Sequence, residues 1–247
     1  MLGFYIRHII KGNSMDIHIL TLFPDMFSGP FHESIIKRAV DTNLVNIHIH
    51  NIRDYAPGKH RIVDDYPFGG GGGMVMKPEP LFIAWESIKN DMAKLKDKDY
   101  VERVKTILLS PQGKVLNQNV CQELSYLTDM ILVCGRYEGV DERVIEGIID
   151  LEISIGDYVL SGGEIPAMVL VDSLVRLLPG ALGNQQSIED DSHTKGILQF
   201  PQYTRPQVYR GVEVPKVLLS GDHRAIDEWR SEQAILRTRL KRPDLME

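Results

Sequence analysis

The chain has 247 residues, 43% hydrophobic and 25% charged, the balance of an ordinary soluble globular protein with one large or two modest domains. No apolar run approaches the roughly 20 residues that span a bilayer, so no membrane partner is expected, and the cysteines Cys121 and Cys134 have neither metal-ligand spacing nor a disulfide framework, which fits a reducing cytoplasm. The net charge of −6 weighs against a nucleic-acid partner, but from Lys195 onward ten Lys and Arg stand against seven Asp and Glu, so a basic C-terminal face is open to the chain.

In chain order, "MLGFYIRHIIKGNS" lacks the apolar centre and cleavage site of a signal peptide and reads as an extension, residues 1–14, of a domain starting near Met15. Ile17 to Phe23 alternates as a first strand, Phe31 to Thr42 has helical spacing, and "VNIHIHNI" from Val45 to Ile52 alternates as a half-buried strand. Arg53 to Pro80 has little periodicity and carries five glycines, Gly69 to Gly73; a loop that long is functional or disordered. A helix from Leu81 to about Met92 and a charged stretch follow. Four strand-like pieces, "KTILLS", "DMILVCG", "LEISIG" and "KVLLSG", come with helices over Asn117 to Leu127, Asp141 to Ile149 and Glu164 to Leu178. This alternation predicts an α/β domain over 15–180 with a mainly parallel sheet. Residues 181–201 read as a flexible polar linker, and 202–247 as a smaller C-terminal domain ending in an amphipathic helix, Ala225 to Lys241.

Three strands end in glycine-bearing loops: "LSPQG", "CGRYEGVDER" and "IGDYVLSGGE". Ligands of open α/β sheets sit beyond the carboxyl ends of strands, so these loops predict one shared pocket. Glycine brings backbone N–H and C=O groups within reach of a ligand such as a planar base. No loop has the G-x-x-x-x-G-K pattern of a phosphate cradle or the spacing of a dinucleotide fingerprint, which favours a nucleoside cofactor without a polyphosphate over an oxidoreductase reading.

Several longer motifs occur in order: "ILTLFPDMF", "RDYAPGKHRIVDDYPFGGGGGMVMKPEPL", "LLSPQG", "CGRYEGVDERV", "SIGDYVLSGGEIPAMVLVDSLVRLLPGALG" and "PQYTRPQVYRGVEVPKVLLSGDHRAIDEWR". From Met15 to near the C-terminus they resemble bacterial tRNA (guanine-37 N1)-methyltransferases, the TrmD family of the knotted SPOUT class. The resemblance implies a SPOUT-type parallel-sheet domain with a deep trefoil knot, where periodicity alone predicts an unknotted sheet, and a small, mainly helical C-terminal domain that binds tRNA. It implies an obligate homodimer with the active site between subunits, and S-adenosylmethionine as methyl donor.

It also implies roles. Guanine N1 carries a proton, so methylation needs a general base. The matching residue is Asp191 in "SIEDDSHTKG", with Asp190 as its neighbour and rival. Arg176 matches an arginine that stabilises charge on guanine O6. Glu138 matches a carboxylate near the methionine amino group, and it is also a candidate magnesium contact because magnesium dependence is described for this class. Cofactor contacts carried over are Leu109, Ser110, Pro111, Gly113, Gly135, Tyr137, Glu138, Gly139, Ile155, Gly156, Tyr158, Leu160, Gly162, Gly163 and Pro166. For tRNA the candidates are His193, Lys195, Arg205, Ser220 and His223, with Arg53, Lys59, His60 and Arg61 on the early loop. A knotted ribose 2′-O-methyltransferase and a non-catalytic RNA-binding protein are the alternatives. "PFGGGGGM" resembles the family's P-Y/F-G-G-G-x-G-M and reads as bare backbone near the cofactor pocket, with Gly72 at a position often filled by proline or alanine.

Overall fold

A computed structural model describes residues 14–96, 101, 103–182 and 190–246. The expected extension up to residue 13 and part of the expected linker, 183–189, lie outside the described residues. The chain forms two compact units, Met1–Gly183 and Asn184–Glu247.

The first unit is built on β1 (Met15–Thr21), β2 (Val45–Asn51), β5 (Lys105–Val115), β6 (Asp129–Cys134) and β7 (Leu151–Ser154). They form one parallel sheet in the order β2-β1-β6-β5-β7. β6 is buried along its whole length, as a central strand covered on both faces must be. Period-two alternation divides the side chains between two cores. Ile17, Ile107, Met130, Leu132 and Ile153 face α1 (Ser34–Asp41), α3 (Gln118–Ser125) and α5 (Glu164–Val175). Leu20, Leu108, Ile131 and Val133 face α2 (Pro78–Leu95) and α4 (Glu142–Ile148).

Local chemistry sets the helix ends. Pro78 opens α2 at its first turn. The Asn117 side chain accepts from Val120 N at 3.0 Å to cap α3, and Asp141 accepts from Arg143 N at 3.0 Å to cap α4. α1 stops where Asn43 turns left-handed (φ 56°) and Leu44 N donates to Ala39 O.

Two expectations for this unit change. "LSPQG" is no strand-end loop: β5 runs on to Val115, and Leu109 and Lys114 both pair with Ile153, so residues 110–113 bulge out between two stretches of ladder. Gly113 permits this, since a Cβ there would lie 2.6 Å from Glu152 O. The long Arg53–Pro80 stretch contains a small hairpin, β3 (Asp64–Asp65) against β4 (Val75–Met76), with the glycines at its tip. Gly69, Gly70, Gly71 and Gly73 have φ between +81° and +119°, backbone that L-residues rarely adopt.

In the second unit, residues 190–199 fold into a tight turn. β8 (Val208–Tyr209) and β9 (Val212–Glu213) form a hairpin across left-handed Arg210 and Gly211, and α6 (His223–Lys241) closes the unit behind an Asp222 cap. "KVLLSG" is not a strand but a 3-10 turn, Lys216–Leu219, opened by Pro215, whose fixed φ suits such a turn.

Candidate active site

In the first unit, three segments meet, one inside β5 and two beyond the carboxyl ends of β6 and β7. They are the 110–113 bulge, the loop from β6 to α4, and the loop from β7 to α5. They enclose a cavity of about 370 Å³, within the range of small-molecule sites.

Close backbone approach builds it. Gly163 N donates to Gly135 O at 2.9 Å, and a Cβ on Gly163 would lie 2.7 Å from Cys134 Cα. The start of α5 is therefore seated on the end of β6. Since β7 lies on the far side of β5 from β6, the 155–163 segment passes β5 to get there. Arg136 and Gly162 form an antiparallel bridge. Gly156 N donates to Ser154 Oγ, which donates to Gly156 O, fixing the turn after β7.

Every expected cofactor contact lines the cavity except Gly113, which is packed on the backbone of β7. The glycines therefore divide by role. Gly113, Gly162 and Gly163 give space to the protein's own chain, Gly139 supplies a φ of +120° with open space beside it, and Gly135 has room for a Cβ.

One assembly escaped the reading of the sequence. Glu164, fully buried at the start of α5, accepts a hydrogen bond from Thr21 Oγ1 at 2.8 Å and ion-pairs with Arg136 Nε at 2.9 Å. The Arg136 guanidinium donates to Ser161 O at 3.0 Å, covers the Phe23 ring and abuts Gly162. It ties together the segment after β1 and two loops of the cavity. The only local hint is an acid at a helix N-terminus.

The glycine hairpin is stitched to this site. Glu138 N donates to Met74 O at 3.0 Å, Met76 N donates to Gly139 O at 2.9 Å, and Met76 bridges Val140. The cavity wall also carries Glu142 and Glu152, so with Glu138 carboxylates outnumber the single arginine, Arg136.

Arg176 does not line the cavity. It caps the far end of α5, roughly 19 Å along the axis from the end that does. Asp191 belongs to the second unit, half-buried beside a cavity of about 670 Å³ lined also by Asp190, Lys195, Phe200 and Arg230. His193, Lys195, Arg205, Ser220 and His223 are exposed there, with Lys195 3.6 Å from Asp190. In the first unit Lys59, His60 and Arg61 are exposed and Arg53 is half-buried, and Arg61 is ion-paired to Asp54 at 2.6 Å.

A family model described as tRNA (Guanine-1)-methyltransferase TrmD matches residues 15–247. The chain belongs to the TrmD family. Among curated TrmD relatives, a "tRNA (guanine-N(1)-)-methyltransferase" of Dictyoglomus turgidum is 54% identical over 231 residues, 94% of this chain and 89% of that protein. Proteins of the same name from Staphylococcus epidermidis and Alkaliphilus oremlandii are 52% and 53% identical, each over 94% of this chain and 91% and 92% of their own lengths. The TrmD match begins at Met15, where β1 begins.

Proposed function

We propose that this protein transfers a methyl group from S-adenosylmethionine to N1 of guanosine at tRNA position 37, next to the anticodon. The observation that carries the reading is the backbone-walled cavity between the bulge of β5 and the ends of β6 and β7, in a chain that matches this family over residues 15–247. Its size suits a nucleoside, and its surplus of carboxylates suits the sulfonium and ammonium charges of this cofactor. When bound, S-adenosylmethionine supplies an electrophilic methyl group. Ser110, Tyr137, Glu138, Gly139, Gly156, Tyr158 and Leu160 are the residues that would hold it, with Glu138 facing the amino group.

The chain's residues handle the proton. Asp191 takes the N1 proton of guanine, which frees the lone pair for attack. Arg176 stabilises the negative charge that gathers on O6. The family's deep trefoil knot is part of the reading, supported by the passage of 155–163 past β5 from β7 to the end of β6. So is the homodimer: Arg176 lies a helix length from the cavity of its own unit, and Ile165 and Val169 leave apolar surface exposed on α5. A site completed by a partner subunit accounts for both. The second unit carries tRNA contacts, with Lys195, Arg205 and His223 as exposed candidates. A cytoplasmic location follows from this substrate, and no described helix is long and apolar enough to cross a membrane. Glu138 is the carboxylate the resemblance offers to magnesium, and the described residues contain no group of three or more His, Cys, Asp or Glu side chains that could hold a metal ion.

The test is incubation with labelled S-adenosylmethionine and unmodified tRNA bearing guanosines at positions 36 and 37, followed by nucleoside analysis. The expected product is 1-methylguanosine. A label on ribose would assign the chain to 2′-O-methylation, and no label would leave RNA binding alone.

A further inference from the structure

The residue assigned above as general base lies in a stretch whose polarity predicts a flexible linker, yet the described part of that stretch is folded. Thr194 N donates to Asp191 O, Gly196 N to His193 O and His193 N to Ile197 O, with His193 and Gly196 both left-handed at φ 75°. Gln199 N donates to Ser192 Oγ at 3.0 Å and closes the turn from the other side. A buried hydroxyl holds the turn on α6. Thr238, fully buried, accepts from Leu198 N at 2.9 Å and donates to Ala234 O at 2.7 Å.

We infer that Thr238 is a positioning residue for Asp191: it pins the turn so that the carboxylate moves with the second unit and not as a free chain. A threonine in the interior of a helix normally turns its hydroxyl back on the preceding carbonyl. Here the same oxygen also takes an amide from another segment, so both of its hydrogen-bonding roles are used. Without it the Leu198 N–H would be left without a partner on a half-buried segment. Holding a base to one geometry matters because misplacement by about 1 Å costs on the order of a hundredfold in rate. The second cavity's wall is built in part from this turn, Asp191 included, against Asp227, Arg230 and Ala234 of α6. The inference rests on Asp191 being the base.

The test uses the full chain with transcribed tRNA and compares Thr238→Val, Thr238→Ser and Ser192→Ala with the unmodified protein and with Asp191→Asn. Thr238→Val keeps the shape and deletes the hydroxyl. Its single-turnover methylation rate should fall about fivefold to tenfold, the loss of one hydrogen bond's worth of positioning. S-adenosylmethionine affinity should be unchanged, and amide exchange at Leu198 should accelerate. Thr238→Ser should restore both rate and protection. Ser192→Ala, on the half-buried side of the turn, should lower the rate in the same direction without threatening the fold. A full rate in Thr238→Val or Ser192→Ala with accelerated exchange would overturn the pin while leaving the base assignment standing. A full rate in Asp191→Asn would overturn the base assignment itself.

Discussion

Gly73 lies against the carboxylate side chain of Glu138: a Cβ built on Gly73 would sit 2.7 Å from Glu138 Cγ. The contact joins the tip of the glycine hairpin to the wall of the cavity. It also separates the five glycines by role. At Gly69 to Gly72 a Cβ would meet nothing within 4 Å, so those residues are not a surface kept bare by crowding within the described chain. Gly69, Gly70 and Gly71 answer to their left-handed backbone, Gly73 to both constraints, and Gly72 to neither.

Gly72→Ala should therefore be neutral and Gly73→Val damaging. A β-branched residue at φ +83° carries strain of about 1–3 kcal/mol, and its side chain must displace Glu138. Calorimetric titration with S-adenosylmethionine should show affinity within twofold for Gly72→Ala and at least tenfold weaker for Gly73→Val. Equal affinities would reduce the run to a spacer.

The ion pair under the cavity makes a separate prediction. Glu164→Gln leaves Arg136, only 14% exposed, facing a neutral amide. Breaking a buried pair costs about 3–5 kcal/mol. Urea unfolding should show a loss of about 3 kcal/mol, with weakened S-adenosylmethionine binding because Arg136 ties two loops of its cavity. Thr21→Val should cost less, about 1–2 kcal/mol, since it removes one hydrogen bond to Glu164 and one from Phe23 N.

Much of this was legible in the sequence, for identifiable reasons. Alternation in "VNIHIHNI" marks β2, and the unbroken apolar run in "DMILVCG" marks β6 because both of its faces are buried. The three glycine loops announced the cavity by composition. The continuation of β5 was hidden because Pro111 and Gly113 are turn residues, and only pairing with β7, far along the chain, makes them part of a strand. Thr21 and Glu164 are 143 residues apart, and no local pattern records their contact. "KVLLSG" misled because a short apolar run is consistent with either a strand or a helical turn.

Stability should depend on pH through the sheet edge. His18 stacks on His48 and His50, with its Nδ1 3.0 Å from His50 Nε2. Burial first, then the neighbouring His48 and His50, lower its pKa from 6.5 to about 3, and burial lowers His50 as well. A histidine whose folded pKa is depressed is kept neutral while the unfolded chain takes up a proton. Stability is therefore full above pH 6.5 and is lost as pH falls from there toward 3. Asp16, also held below its ordinary value, acts in the same direction but only below about pH 4. At pH 5 His18 alone should account for about 2 kcal/mol. Urea midpoints at pH 7 and pH 5 should differ clearly in the unmodified protein and by less in His18→Gln. An equal difference in both would remove His18 from the account.

Assembly is tested on α5. Val169, 39% exposed on a helix that is otherwise largely buried, should tolerate glutamate as a folded monomer. Light scattering of Val169→Glu should then report a halved mass, with methylation lost. A monomeric mass for the unmodified protein would contradict the shared site.

The most direct measurement of the central claim is single-turnover methylation of tRNA bearing guanosines at positions 36 and 37 by the unmodified protein and by Asp191→Ala, with the labelled nucleoside identified and S-adenosylmethionine affinity measured in parallel. 1-Methylguanosine is expected from the unmodified protein, none from Asp191→Ala, and equal cofactor affinity in both. Undiminished 1-methylguanosine from Asp191→Ala would overturn Asp191 as the base.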